Sequence, residues 1–246
     1  MTDENTIFTV SDTHAHVVFD VDDGAMNLEM SLELLRMAYR EGIRDMICAS
    51  HSWGDLDRYH ENLEVLKKAA REQKIDVNLY PGCEVHCRKQ DLSDLIHELS
   101  IGFFPTANGT DYVLIEFSPN AYPEDILLYA RMLKEKTGKK IVVAHIERCR
   151  HLEKRMDVVE QLQAMGCLLQ LNAYSLVRES RPETKAFARQ LIAEKRITFL
   201  GSDCHRTNHR PPKVQAGLRY IHETCDPAYA RAICTENAQK LLFYRI

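Results

Sequence analysis

No apolar run in the chain approaches the roughly 18 residues that would suggest a membrane span, although 45% of its 246 residues are hydrophobic. No basic and apolar leader opens it either. It begins Met1-Thr2-Asp3-Glu4-Asn5, acidic and polar where a secretory signal would be neither. The expected location is therefore cytoplasmic. No Cys-x-x-Cys pair occurs. The eight cysteines stand singly, which reads as reduced thiols and not as a disulfide framework. There is no block of lysine and arginine, and the formal net charge is −4. A dedicated nucleic-acid binder would need the phosphate-neutralising charge that is missing. Ten glycines and eight prolines are scattered, so no low-complexity segment or flexible linker divides the chain. A single domain over residues 1–246 is expected.

What is present is alternation. Short β-rich runs lie at 7–10, 45–49, 77–80, 112–117, 141–146, 167–171 and 197–200. Several are almost continuously apolar, such as Ile141-Val142-Val143-Ala144, the pattern of strands buried on both faces. Amphipathic helical stretches fill the gaps. Leu28, Leu32, Leu35, Ala38 and Tyr39 recur at helical spacing, with Gly42 as the stop. Leu63, Leu66 and Ala70 mark a second helix. Leu92, Leu95, Ile96 and Leu99 mark a third, with Asp91 as its expected N-cap. Further helices are expected at 123–136, 158–165, 184–195 and 227–243. Seven strand–helix units imply an α/β fold with right-handed crossovers, closed or nearly closed into a barrel. An open doubly wound sheet would carry a glycine-rich loop after its first strand, and Ser11-Asp12-Thr13-His14 is not one.

Polar residues gather at the ends of these runs. Asp12, His14 and His16 follow the first, with Asp22-Asp23-Gly24 close behind. His51 follows the second and Glu84 the third. Glu116 ends the fourth, His145 the fifth, and Asn172 follows the sixth. Asp203 and His205 follow the seventh. In a βα barrel all of these positions open onto one face, where active sites form. Imidazoles and carboxylates are ligands for first-row divalent metals. His14-x-His16 and Asp203-x-His205 each point two donors the same way, because side chains on extended backbone alternate. The candidates exceed the needs of one tetrahedral site, so two or three ions are expected, with Glu84 or Glu116 able to bridge. Each short motif alone is weak; the recurrence at nearly every strand end carries the reading. His60, His97, His151 and His222 fall on helical stretches and are read as structural. His86, two residues beyond Glu84, could approach the site.

These residues resemble a known family. Asp12-Thr13-His14-Ala15-His16, Val21-Asp22-Asp23-Gly24 and Ala49-Ser50-His51 are similar to the start of a PHP (polymerase and histidinol phosphatase) domain. Four stretches resemble the bacterial manganese-dependent protein-tyrosine phosphatases of capsule and exopolysaccharide operons. They are Phe19-Asp20-Val21-Asp22-Asp23-Gly24, Leu114-Ile115-Glu116-Phe117, Ala144-His145-Ile146-Glu147-Arg148, and Ser202-Asp203-Cys204-His205 leading to Arg210-Pro211-Pro212. The resemblance runs from about residue 7 to 242. It implies a distorted (β/α)7 TIM-like barrel, the PHP fold, with a trinuclear site of Mn2+, Fe or Zn. It further implies that His14, His16, Glu84 and Asp203 hold one ion. Glu84, Glu116 and His145 would hold a second, and Asp23, His51 and His205 a third. Asp23 is preferred to Asp22 because it directly precedes the glycine. The segment 52–59, which carries the single tryptophan, Trp53, departs from the family pattern.

The implied activity is hydrolysis of phosphotyrosine in proteins. The implied partner is the tyrosine-rich tail of a membrane-associated kinase regulating capsule synthesis. Divalent cations make hydroxide available near neutral pH. Arg148 and Arg210 match family arginines that grip phosphate, and a guanidinium can hold two of its oxygens. His205 is the candidate general acid, although phenolate, with a pKa of about 10, leaves readily. Cys204 and Arg210 also fit the Cys-x5-Arg pattern of thiol-dependent phosphatases, as Cys149 and Arg155 do. The Cys204 loop lacks the glycines that let amides cradle phosphate, so the thiolate route is disfavoured. The competing readings are a small-molecule phosphoesterase such as histidinol phosphatase, and a non-catalytic scaffold, against which the full set of candidate ligands speaks.

Overall fold

Seven parallel strands stand side by side in the order in which the chain makes them. The computed structural model describes residues 7–179 and 181–243. Strands β1 (Val10–Ala15), β2 (Ile43–His51), β3 (Asn78–Cys87), β4 (Tyr112–Phe117), β5 (Lys140–Val143), β6 (Leu168–Asn172) and β7 (Phe199–Gly201) form the sheet. Between them run α1 (Leu28–Arg40), α2 (Leu56–Glu72), α3 (Leu92–Ile101), α4 (Pro123–Thr137), α5 (Met156–Ala164) and α6 (Pro182–Ala193). After β7 come α7 (Gln215–Thr224), α8 (Pro227–Arg231), a π turn (Ala232–Glu236) and α9 (Asn237–Phe243).

The sheet closes without a full seventh ladder. A parallel bridge joins Ala15 to Cys204. Asp203 N donates to His14 O at 2.7 Å, His16 N to Cys204 O at 2.8 Å, and Thr13 Oγ1 to Leu200 O at 2.9 Å. The result is the nearly closed (β/α)7 barrel that the alternation implied.

Local chemistry sets the helix ends. Asn27, Asp55 and Asp226 cap α1, α2 and α8 by accepting from backbone N–H groups. Pro123 and Pro182 open α4 and α6. Asp91 precedes α3 but makes no capping bond. A 3-10 turn, Lys89–Asp91, runs directly into the helix, so the extended backbone that a capping side chain needs is absent.

Strand bounds shift where the barrel interior is polar. The first strand occupies Val10–Ala15, not 7–10. Its six residues are all buried, Ser11, Asp12, Thr13 and His14 among them. The apolar Phe8 instead stacks on His222 of α7, with centroids 4.1 Å apart. Its backbone is held at both ends by Gln215. β5 stops at Val143, short of the expected 146. His145 there takes φ 27°, and a 3-10 turn (Ile146–Arg148) follows.

Inward-facing residues alternate along each strand and change character from bottom to top. Ile47, Ala49, Leu114, Val142, Ala144 and Phe199 form an apolar floor inside the barrel, plugged by Leu241 and Leu242 of α9. Two residues further along the same faces stand His51 after Ala49 and Glu116 after Leu114. Tyr80, Gly82 and Glu84 follow the same rule on β3, and Leu168, Gln170 and Asn172 on β6. The period-two register thus delivers the polar set to the C-terminal rim. A larger apolar layer, including Leu32, Leu35, Leu66, Ile126, Leu133 and Leu191, packs the helices on the outside of the sheet.

Candidate metal centre

Nine side chains from the ends of six of the seven strands converge at that rim. Their donor atoms fall into four overlapping groups. These are His14, His16 and Asp203; His14, Glu84 and His145; His51, Glu84 and Glu116; and His16, Asp23, His51 and His205. Within each group the donors lie within 4.8 Å of one another. Glu84 is the hub. Its Oε1 lies 2.8 Å from His145 Nε2. Its Oε2 lies 3.2 Å from the Nε2 atoms of both His14 and His16 and 3.1 Å from His51 Nδ1. Asp23 Oδ1 lies 3.4 Å from Nε2 of both His51 and His205.

The outer ring nitrogens decide where the lone pairs point. His16 Nδ1 contacts Asp22 Oδ2 at 2.9 Å, and His205 Nδ1 contacts the Asp203 carbonyl at 3.0 Å. Carboxylates and carbonyls only accept, so each Nδ1 carries a proton and donates. Each Nε2 is then a lone pair turned inward. His14 Nε2 and His16 Nε2 face each other at 3.1 Å, with Glu84 and Asp203 oxygens beside them. His51 Nδ1 and His205 Nε2 are buried without a hydrogen-bond partner.

Lone pairs converging on lone pairs require a cation between them. An ion held at about 2.0–2.2 Å keeps its ligand atoms roughly 3.0–3.6 Å apart. The separations of 3.1, 3.2 and 3.5 Å among His14, His16, Glu84 and Asp203 fit that spacing, and His14 Nε2 to Asp203 Oδ1, at 3.7 Å, lies just beyond it. An imidazole that donates outward and ligates inward is the arrangement metal-binding histidines use. The donor chemistry therefore fits divalent ions.

Titration behaviour carries the same sign. Burial alone would push Glu84 up, but His14, His145 and His16 outweigh it and hold the carboxylate well below its usual range. Burial would lower His16, yet Asp22 and Glu84 raise it to about 10. The pocket field favours positive charge, which a proton supplies when no metal does. Burial, with Glu84 beside it, pushes Glu116 up to about 7. Burial and the neighbouring His16 hold His205 below its ordinary value. Its Nε2, turned inward, is placed as a ligand atom would be.

Supporting residues surround the cluster. The side chain of Asp22, the neighbour of Asp23, is buried and accepts from His16 Nδ1, His51 N and Gly24 N. It orients the His16 imidazole and pins the His51 backbone, while Asp23 is 49% exposed and faces the cluster. A Cβ on Gly24 would lie 2.3 Å from His16 O, so this glycine lets the Asp22–Asp23 loop seat against β1. Asn172 Nδ2 donates to Asp203 Oδ2 at 3.1 Å. Gln170, which sequence reasoning missed, accepts from His145 N at 2.7 Å and donates to Asn172 Oδ1 at 2.9 Å. Its place two residues before Asn172 on the same strand face was the available signal. Asp12 lies outside the four groups; it accepts from His14 N and Ser202 N and ties β1 to the end of β7.

Arg148 and Arg210 reach the rim from the loops after β5 and β7. Arg148 Nη2 lies 2.5 Å and Arg210 Nη1 3.2 Å from Asp203 Oδ2. His86 stands 3.7 Å from Glu116, at the margin. His60, His97, His151 and His222 lie outside the four groups. Trp53, 56% exposed, stacks on His51 with centroids 4.8 Å apart.

Cys204 is fully buried, and burial pushes its thiol far above the range of a working nucleophile. Cys204→Ala is accordingly expected to leave phosphatase turnover unchanged, measured at equal metal loading. Inactivation by this single change would restore the thiolate route.

A βα barrel with an imidazole–carboxylate cluster at its C-terminal rim has the architecture of a metal-dependent hydrolase. The family model described as capsular polysaccharide synthesis, CpsB/CapC, matches residues 10–243, and the chain belongs to that family. It is 32% identical to the tyrosine-protein phosphatase CpsB of Streptococcus agalactiae, over 94% of this chain and 97% of that one. It is 29% identical to the tyrosine-protein phosphatase YwqE of Bacillus subtilis, over 94% and 91%. A crystal structure from work on YwqE and on CpsB of Streptococcus pneumoniae, described as metal-dependent tyrosine phosphatases, superposes with a TM-score of 0.81. The identity is 28%, over 94% and 93% of the two chains. Histidinol phosphate phosphatase of Lactococcus lactis shares the fold at a TM-score of 0.57 and 14% identity, over 87% and 94%.

Proposed function

We propose that this chain is a metal-dependent protein-tyrosine phosphatase whose ions are held by His14, His16, Asp23, His51, Glu84, Glu116, His145, Asp203 and His205. The observation that carries the reading is the pair of inward imidazole nitrogens of His14 and His16, 3.1 Å apart and both against Glu84. The arrangement calls for positive charge between those groups, which a proton on His16 supplies in the metal-free protein and a divalent cation replaces. Mn2+ is the proposed ion, about two to three per chain, and Fe or Zn suits the same donors. When bound, such ions supply Lewis acidity toward a phosphoryl group and make hydroxide available near neutral pH.

The chain's own residues do the rest. Asp22 and the Asp203 carbonyl fix the His16 and His205 tautomers. Arg148 and Arg210, each with donors beyond those spent on Asp203, take phosphoryl oxygens at the mouth. A phenolate leaving group asks little of a general acid, which fits the neutral state of His205. Trp53 gives the mouth an aromatic wall beside His51.

The proposed substrate is a phosphotyrosyl protein, in particular the tail of a membrane-associated tyrosine kinase in capsule synthesis. The family's capsular role and the naming of its relatives support this. No helix among the described residues is long and apolar enough to cross a membrane. Eight free cysteines fit the reducing cytoplasm, the compartment proposed. Turnover of a phosphotyrosyl peptide and of histidinol phosphate, compared before and after chelation, tests the reading. The peptide is expected to be preferred, with activity lost on chelation and regained with Mn2+. Preference for histidinol phosphate, or activity indifferent to chelation, would overturn it.

A further inference from the structure

Beside the cluster, the loops after β5, β6 and β7 enclose a cavity of about 270 Å3. Arg148, Arg150, Arg178, Arg181, His209 and Arg210 line it. Among the described residues of its lining there is no carboxylate, in a chain whose net charge is −4. Five guanidiniums around one space repel one another, and an anion offsets that cost. Arg148 and Arg210 form the inner wall, turned to Asp203. The other three stand further out. Arg150 Nη1 donates to Asn120 Oδ1 at 3.3 Å, a neutral partner, and among the described residues no carboxylate is paired with it. Arg181 stands at the N-cap position of α6, and Thr184 of the first turn also lines the cavity. The Arg181 side chain makes no capping bond, and the N-terminal end of this 12-residue helix adds to the positive field.

One phosphoryl group, already served by Arg148 and Arg210, does not need three further arginines. We infer that Arg150, Arg178 and Arg181 form a second anion subsite, which takes an oxyanion group carried by the same polypeptide substrate next to the phosphotyrosine being hydrolysed. The inference rests on the phosphatase reading of the adjoining site. The oxyanion is a second phosphoryl group or a side-chain carboxylate; both present oxygens to a guanidinium fork.

The test compares the parent enzyme, loaded with Mn2+, with an Arg150→Gln/Arg181→Gln double variant. The substrates are p-nitrophenyl phosphate and three phosphotyrosyl peptides, one with neutral flanks, one with acidic flanks and one with a second phosphotyrosine. The variant is expected to match the parent on p-nitrophenyl phosphate and on the neutral peptide, which also shows that it folds. Its kcat/KM on the doubly phosphorylated peptide should fall roughly tenfold through KM, the scale of a charge-assisted hydrogen bond, and the difference should shrink with added salt. An equal fall on the acidic peptide would assign the subsite to carboxylates as well; no fall there would restrict it to phosphoryl groups. Equal losses on all four substrates, or no loss on any anionic peptide, would overturn the subsite. If no substrate is turned over, the phosphatase reading fails, and anisotropy of the labelled peptides decides the subsite separately. Tighter binding of the doubly phosphorylated peptide by the parent, lost in the variant, would uphold it; equal binding would refute it.

Discussion

Glu84→Gln is expected to lower turnover of a phosphotyrosyl peptide on the order of 10³-fold, the scale of removing a group that stabilises transition-state charge. The two oxygens of Glu84 serve four imidazoles, those of His145, His14, His16 and His51, at 2.8 to 3.2 Å. Glutamine keeps the shape but removes the charge. It also places an N–H2 group, which only donates, where a lone-pair acceptor stood. Four of the other eight candidate ligands, His14, His145, His51 and Glu116, share a donor group with Glu84. The variant should therefore lose bound metal along with activity. Elemental analysis after Mn2+ loading, paired with peptide kinetics, checks both. A variant with full metal content and full activity would remove Glu84 from the centre of the account.

Arg148→Gln is expected to cost about 10²-fold in kcat/KM while metal content stays near that of the parent. Arg148 approaches Asp203 through Oδ2, the oxygen that also receives Arg210 and Asn172. The other oxygen, Oδ1, faces His14, His16 and His205. Loss of one guanidinium leaves Oδ2 with two donors and spares the face turned to the cluster. What disappears is a fork for phosphoryl oxygens, worth about 10²–10³-fold when it stabilises developing charge. Arg148→Lys should recover only part of the loss, because an ammonium cannot match two oxygens at once. Metal loss in parallel with activity would recast Arg148 as a support for Asp203 alone.

Much of this site was legible because its donors obey strand periodicity. Ala49 to His51 and Leu114 to Glu116 are steps of two, and an apolar run ending in such a residue is visible in the sequence. The supports were harder to see. Asp22 and Asp23 are adjacent and chemically alike, and only the loop fold shows that one binds the back of His16 while the other faces the cluster. Gln170 is an ordinary amide until β6 turns it toward His145. Hydrophobicity marks 7–10 as the first strand, but β1 lines a polar interior and runs Val10–Ala15. The apolar Phe8 belongs to the packing of α7, a helix whose signal is blurred by Gly217 in its interior. That glycine is required, since a Cβ there would lie 2.1 Å from Ala173 O. Asp91 shows the converse, a good capping residue idle because a 3-10 turn already leads into the helix.

Everything rests on the rim cluster as a binder of several divalent cations. The most direct measurement is equilibrium dialysis of the metal-free protein against Mn2+, with the ions per chain counted by elemental analysis and proton release followed. The account predicts about two to three ions per chain, as the overlapping donor groups allow. Protons should be released on loading and affinity should rise with pH, because His16, raised to about 10, and Glu116, raised to about 7, must give up protons to a metal. Fewer than one ion per chain, or uptake that His14→Ala leaves unchanged, would contradict it.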